Sequence, residues 1–145
     1  MDVSLMGAIG IGASFGLSAI GAAIGMAANG PATIGAWKKC YVQKKPAPFI
    51  LVVFASTCLT NVIYGFITMT VLMGRYLAGG IDASMVLTLG VGAGICIGAV
   101  AITQAMCSAA ASEAFAETGQ GFGNYLMVVG IAETISLFAM VFTIM

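Results

Sequence analysis

Histidine is absent from this 145-residue chain, which excludes imidazole metal sites and histidine acid–base chemistry. Charge is almost as scarce: five basic and five acidic residues, 7% of the chain, give a formal net charge of zero. Soluble domains carry about 25% charged residues, so an ordinary globular protein is excluded. With no basic field, a nucleic-acid partner is excluded as well. The four cysteines, Cys40, Cys58, Cys96 and Cys107, show no Cys-x-x-Cys spacing. Three fall in apolar segments and one beside a lysine pair, which reads as small packing residues rather than a redox or metal centre. Met1-Asp2-Val3-Ser4 lacks the positive n-region of a cleavable signal, so the first apolar stretch is expected to stay in the mature protein.

What is present is hydrophobic: 61% of the residues, with a mean hydropathy of +1.10. Four apolar stretches run over about 4–28, 49–76, 84–112 and 125–145, each near the roughly 20 residues a spanning helix needs. They lack the alternation of barrel strands, and only helices or closed barrels satisfy their backbones in lipid. The reading is an all-α membrane protein of four transmembrane helices, one membrane domain over 1–145, arranged as two tandem hairpins at about 4–76 and 84–145. Connections are expected at about 29–48, 77–83 and 113–124. Four of the five basic residues, Lys38, Lys39, Lys44 and Lys45, lie in the first connection. The positive-inside rule therefore places it in the cytoplasm, and with four spans both termini face outward.

Small residues are concentrated in two of the helices. Ala8, Gly12 and Gly16 recur every four positions, with Gly21 and Gly25 following, and Gly90, Gly94 and Gly98 repeat the spacing, with Gly92 besides. Such faces let helix backbones approach closely in lipid. A tight four-helix monomer or a crowded ring with these helices on its inner wall would each use them. There is also an internal repeat: Gly21-Ala22-Ala23-Ile24-Gly25-Met26-Ala27 lies against Gly98-Ala99-Val100-Ala101-Ile102-Thr103-Gln104, and Asn61-Val62-Ile63-Tyr64-Gly65-Phe66 against Glu133-Thr134-Ile135-Ser136-Leu137-Phe138. In this alignment the first hairpin has Asn61 where the second has Glu133.

Glu133 is the feature that needs explaining, because an acid at the centre of a spanning helix costs a few kcal/mol and is a functional-site hypothesis by default. On the second helix Thr57, Thr60, Asn61 and Tyr64 fall at i, i+3, i+4 and i+7, one helical face. The third helix carries Gln104, with Ser108 a turn on. Unsatisfied amides are expensive in hydrocarbon, so Asn61 and Gln104 are expected to meet Glu133 in one pocket. Thr57 and Thr60 serve equally well bonded back to their own helix, and the two amides as interhelical ties. Thr134 and Ser136 read as ordinary packing. As a pocket, the set offers one carboxylate, two amide carbonyls and hydroxyls, which suits a hard monovalent cation such as sodium. A proton needs only the carboxylate and one acceptor.

On these residues the chain resembles the membrane-rotor proteolipid, the K-type or c-type subunit, of V-type and A-type rotary ATPases (ATP synthases), in its duplicated four-helix form. The likeness rests on the glycine-rich first and third helices, Thr60-Asn61-Val62-Ile63-Tyr64-Gly65-Phe66, Gln104 and Ala132-Glu133-Thr134. It implies a homo-oligomeric rotor ring in which Glu133 carries the transported ion, Na+ or H+, with no cofactor and no catalysis by the chain itself. It also implies a sodium-ligand set of Glu133, Gln104, Thr60 and Asn61, with the Thr57 carbonyl added and Tyr64 bracing the acid. Sodium members usually have glutamine at the position of Asn61, so this amide oxygen sits about one carbon bond further back. Further implied partners are a stator membrane subunit supplying an arginine and a central stalk meeting 28–35 and 113–123. The implied location is a bacterial or archaeal inner or plasma membrane. One acid per duplicated chain means fewer ions per turn at equal helix count, which favours ATP-driven pumping over synthesis. Two rivals are a small four-helix cation or multidrug antiporter using Glu133 and a structural channel or junction protein. The first would place aromatics around the acid, and the second offers no reason for it.

Overall fold

A computed structural model describes residues 3–145; part of the N-terminal tetrapeptide read above, Met1 and Asp2, lies outside the described residues. Five helices follow in order: α1 Val3–Val42, α2 Leu51–Ser56, α3 Leu59–Leu77, α4 Ala83–Thr118 and α5 Phe122–Ile144. No strand occurs among the described residues. By length and composition four spans are able to cross a membrane, with α2 and α3 together forming the second, Leu51–Leu77. The helical ladder of that span is interrupted at Thr57–Cys58.

Helix bounds differ from the sequence reading because hydropathy marks what lipid accepts, not where a helix ends. The 40 residues of α1 reach about 60 Å and the 36 of α4 about 54 Å, well beyond a hydrocarbon core of about 30 Å. The first expected connection, 29–48, is helix up to Val42. The third, 113–124, shrinks to residues 119–121. Gly119 and Gly121, at φ +66° and +82°, make that reversal in a conformation L side chains rarely adopt. Asn29-Gly30-Pro31 does not stop α1, since Pro31 is exposed while Asn29, Thr33, Ala36 and Cys40 are buried. Tertiary packing of that face outweighs the local breaker signal.

The two long helices pack on each other at backbone distance. A Cβ at Gly90 would lie 1.9 Å from the Gly10 carbonyl oxygen, and one at Gly21 would lie 2.2 Å from that of Gly98. The face of α1 used here runs through Gly10, Leu17, Gly21 and Gly25. Ala8, Gly12 and Gly16, grouped with it in the sequence reading, lie elsewhere: Ala8 is exposed and nothing stands within 4 Å of a Cβ on Gly12 or Gly16. The five-residue step from Gly16 to Gly21 turns the helix face by about 140°, so the two groups point apart.

The other helices are fixed at their ends. α3 closes on α1 where Gly65 admits Ser18, and Ser14 and Ser18 satisfy their hydroxyls on carbonyls of their own helix at 2.7 Å. At one end Phe54, Phe115 and Phe122 cluster with ring centroids 5.2 and 6.0 Å apart, Lys39 pairs with Glu117, and Trp37 donates to the Pro48 carbonyl at 2.9 Å. At the other end the Arg75 guanidinium donates to the Ile144 carbonyl at 3.0 Å, serving the unpaired C-terminal carbonyls of α5.

The α1–α4 contact gives a direct test. Gly90→Ala should destabilise the purified protein in detergent by about 1–3 kcal/mol, because the two backbones must separate. Gly74→Ala, where a Cβ meets nothing within 4 Å, should change it by less than about 0.5 kcal/mol. Thermal denaturation of the two variants side by side reads the difference.

Candidate ion-binding site

Glu133 lies at the middle of α5, with equally long apolar segments on either side. Its carboxylate turns inward and is half-buried. From α3 the Tyr64 hydroxyl donates to Glu133 Oε1 at 3.1 Å. From α4 Gln104 Nε2 donates to Oε2 at 3.3 Å. Asn61 Nδ2 of α3 donates to Gln104 Oε1 at 2.5 Å. Four residues from three helices thus form one directed chain of hydrogen bonds that ends on both oxygens of the acid, the arrangement a charged carboxylate accepts.

The chain leaves one atom over. Asn61 and Gln104 are both 0% exposed. Because Gln104 points its amide nitrogen at the acid, its oxygen must face Asn61, and Asn61 answers with nitrogen. Asn61 Oδ1 is then buried with no partner. Leaving such a group unmet costs about 1–3 kcal/mol. The shorter side chain of asparagine is long enough to reach Gln104, and its contact is with that residue.

Thr57 and Thr60 stand apart from the acid's direct partners. The Thr60 hydroxyl donates to the Thr57 carbonyl at 2.8 Å. The Thr57 hydroxyl donates to the Phe54 carbonyl at 3.0 Å and meets Ser108 of α4 at 2.7 Å. Thr134 and Ser136 bond back to their own helix. Among the described residues no group of three or more His, Cys, Asp or Glu side chains could hold a metal ion, so any cation here would rely on amide and hydroxyl oxygens beside one carboxylate. A hollow of about 420 Å³ lies between α1 and the second span, lined by Ala22, Met26, Cys58 and Val62 among others. It contains no carboxylate and none of the acid's partners. The sequence reading missed Asn29, whose amide reaches the Phe54 carbonyl; its place before Gly30-Pro31 signals a turn, and nothing local signals burial.

The coupling between the amides can be measured. Asn61→Ala and Gln104→Ala should each destabilise the protein by about 1–3 kcal/mol by stranding a buried partner. The double variant should lose less than the sum, by about 0.5–2 kcal/mol. Additive losses in a thermal-denaturation cycle would show that the two amides are not bonded to each other.

Residues 87–145 match the sequence model of the ATP synthase C-subunit family. That segment covers all but the first turn of α4 and the whole of α5, and so contains Gln104 and Glu133 but not Asn61 or Tyr64. No curated protein matches the chain. With four helices able to span a membrane, the chain is a multi-pass integral membrane protein. Its second hairpin is similar to the ATP synthase C-subunit family, and the match does not extend to the first hairpin.

Proposed function

We propose that this chain is the rotor subunit of a V- or A-type ATPase and carries Na+, one ion per chain, on Glu133. The observation that carries the reading is the orphaned Asn61 Oδ1, buried at 0% exposure one hydrogen bond away from the acid's own partner. A proton would need only the carboxylate and one acceptor. Two buried amides in series are more than that, and hard cations take oxygen ligands.

Loading reverses the polarity of the chain. A cation beside Glu133 attracts Gln104 Oε1, a half-turn of that amide presents Nε2 to Asn61, and a matching half-turn of the Asn61 amide gives Oδ1 that donor and leaves its second lone pair for the ion. Asn61 Oδ1, the Thr60 hydroxyl and the Thr57 carbonyl complete the ligand inventory. Tyr64 holds the carboxylate from the other side. The loaded site is neutral, which is what allows it to face lipid as the ring turns. An arginine on a stator membrane subunit would displace the ion, and Glu133 would take the next one from a half-channel. Asn61, with no titratable proton, leaves the first hairpin without a carrier of its own.

The ends of the molecule support an orientation. Lys38, Lys39, Lys44 and Lys45 cluster where α1 and α4 project, while Arg75 stands at the opposite end. The positive-inside rule puts the projecting end in the cytoplasm of a bacterial or archaeal cell, with both termini outside. A central stalk would then meet this end, with residues 28–35, which are helical within α1, and 113–123 as its expected contacts.

Carbodiimide labelling of the detergent-solubilised protein, read by mass spectrometry, tests the assignment. Labelling is expected at Glu133 and suppressed by Na+. Labelling that follows pH but ignores Na+ would make the cargo a proton, and no labelling at Glu133 would remove the carrier role.

A further inference from the structure

Outside the Glu133 chain, Asn29 of α1 is a buried polar side chain, 0% exposed, that bonds across to another helix. Its Nδ2 donates to the Phe54 carbonyl of α2 at 2.7 Å. Its Oδ1 accepts from the Thr33 hydroxyl at 3.4 Å, and Thr33 meets Ser112 of α4 at 3.2 Å. Phe54 lies just before the point where the ladder of the second span is interrupted, at Thr57–Cys58. There the Phe54 carbonyl keeps only a long backbone bond, from the Thr57 N–H at 3.5 Å, and further donors strengthen its place in an apolar interior. Asn29 is one, and the Thr57 hydroxyl at 3.0 Å is another. Thr57 in turn is held to Ser108 of α4 at 2.7 Å. The interruption is therefore pinned from α1 by Asn29 and from α4 by Ser108.

Asn61 stands four residues, one helical turn, beyond Thr57. Its side chain is short, so whether it reaches Gln104 depends on where the break lets α3 begin. Thr57 and Cys58 keep helical dihedrals, and the Asn29–Phe54 and Thr57–Ser108 ties hold the turn from which α3 starts. Resting on the cation-site reading above, we propose that Asn29 is a positioning residue for the ion site: it holds the break in the second span so that Asn61 meets Gln104.

A residue that merely glued helices together would lower stability without selecting the site, so the test reads ion affinity in a mutant cycle. In the purified, assembled protein, the Na+ concentration that halves carbodiimide labelling of Glu133 is measured for wild type, Asn29→Ala, Asn61→Ala and the double variant. Asn29→Ala is expected to raise it by about tenfold. Because Asn29 acts through Asn61, the double variant should lie within about twofold of Asn61→Ala alone. An Asn29→Ala value within about twofold of wild type, or effects that multiply in the double variant, would overturn the proposal. If Asn29→Ala does not assemble, Thr33→Val loosens Asn29 without removing it and is expected to raise the same concentration by about threefold; no change would again overturn it. A wild-type protein that responds to pH and not to Na+ fails the sodium reading and leaves this one testable. The proton concentration at half-maximal labelling should then change by about tenfold in Asn29→Ala, with the same lack of multiplication.

Discussion

Inside this chain a polar atom has to find its partner within the chain, because the surrounding residues are apolar and water is far away. That constraint orders the interior. Ser14 and Ser18 turn to their own helix, Asn29 takes the carbonyl at the break in the second span, and Tyr64 and Gln104 address the two oxygens of Glu133. Each solution uses groups already at hand, on the same helix or on a neighbouring one. Asn61 Oδ1 is the place where the solution is incomplete, and its side chain is bonded to Gln104, which in turn addresses the one carboxylate in the middle of a span.

The packing of α1 on α4 makes this arrangement possible. With Gly10 against Gly90 and Gly21 against Gly98, the two long helices lie close enough for α3 to touch both. It reaches α1 through Gly65 and Ser18, and α4 through Asn61 and Gln104. α5 then closes on α4 and α3 with Glu133 facing the gap between them. The same closeness brings Thr33 of α1 within bonding distance of Ser112 of α4, so the ties around Asn29 also depend on the glycine contact.

Much of this was legible in the sequence, for reasons particular to each element. Four apolar runs announce four spans because lipid imposes a minimum length, but no comparable rule announces where a helix stops in water; hence α1 continues to Val42 through Asn29-Gly30-Pro31. The glycine spacing announces a close contact, but the five-residue step between Gly16 and Gly21 conceals which glycines share the face. At the site, Asn61, Tyr64, Gln104 and Glu133 could be expected to meet because amides and acids are costly when alone. The hydroxyls of Thr57 and Thr60 carry no such compulsion, and each found a carbonyl on its own helix. Asn29 was illegible because its role depends on a break in another helix that leaves no mark in the sequence. The family match, confined to 87–145, likewise covers the half of the site that bears the acid and not the half that bears the orphaned amide.

On the proposed reading Glu133 carries sodium and the first hairpin has no carrier of its own. Equilibrium dialysis of the purified protein against radioactive sodium counts this directly. One saturable sodium per chain is expected, lost entirely in Glu133→Gln. Two ions per chain, none, or one that survives Glu133→Gln would contradict it.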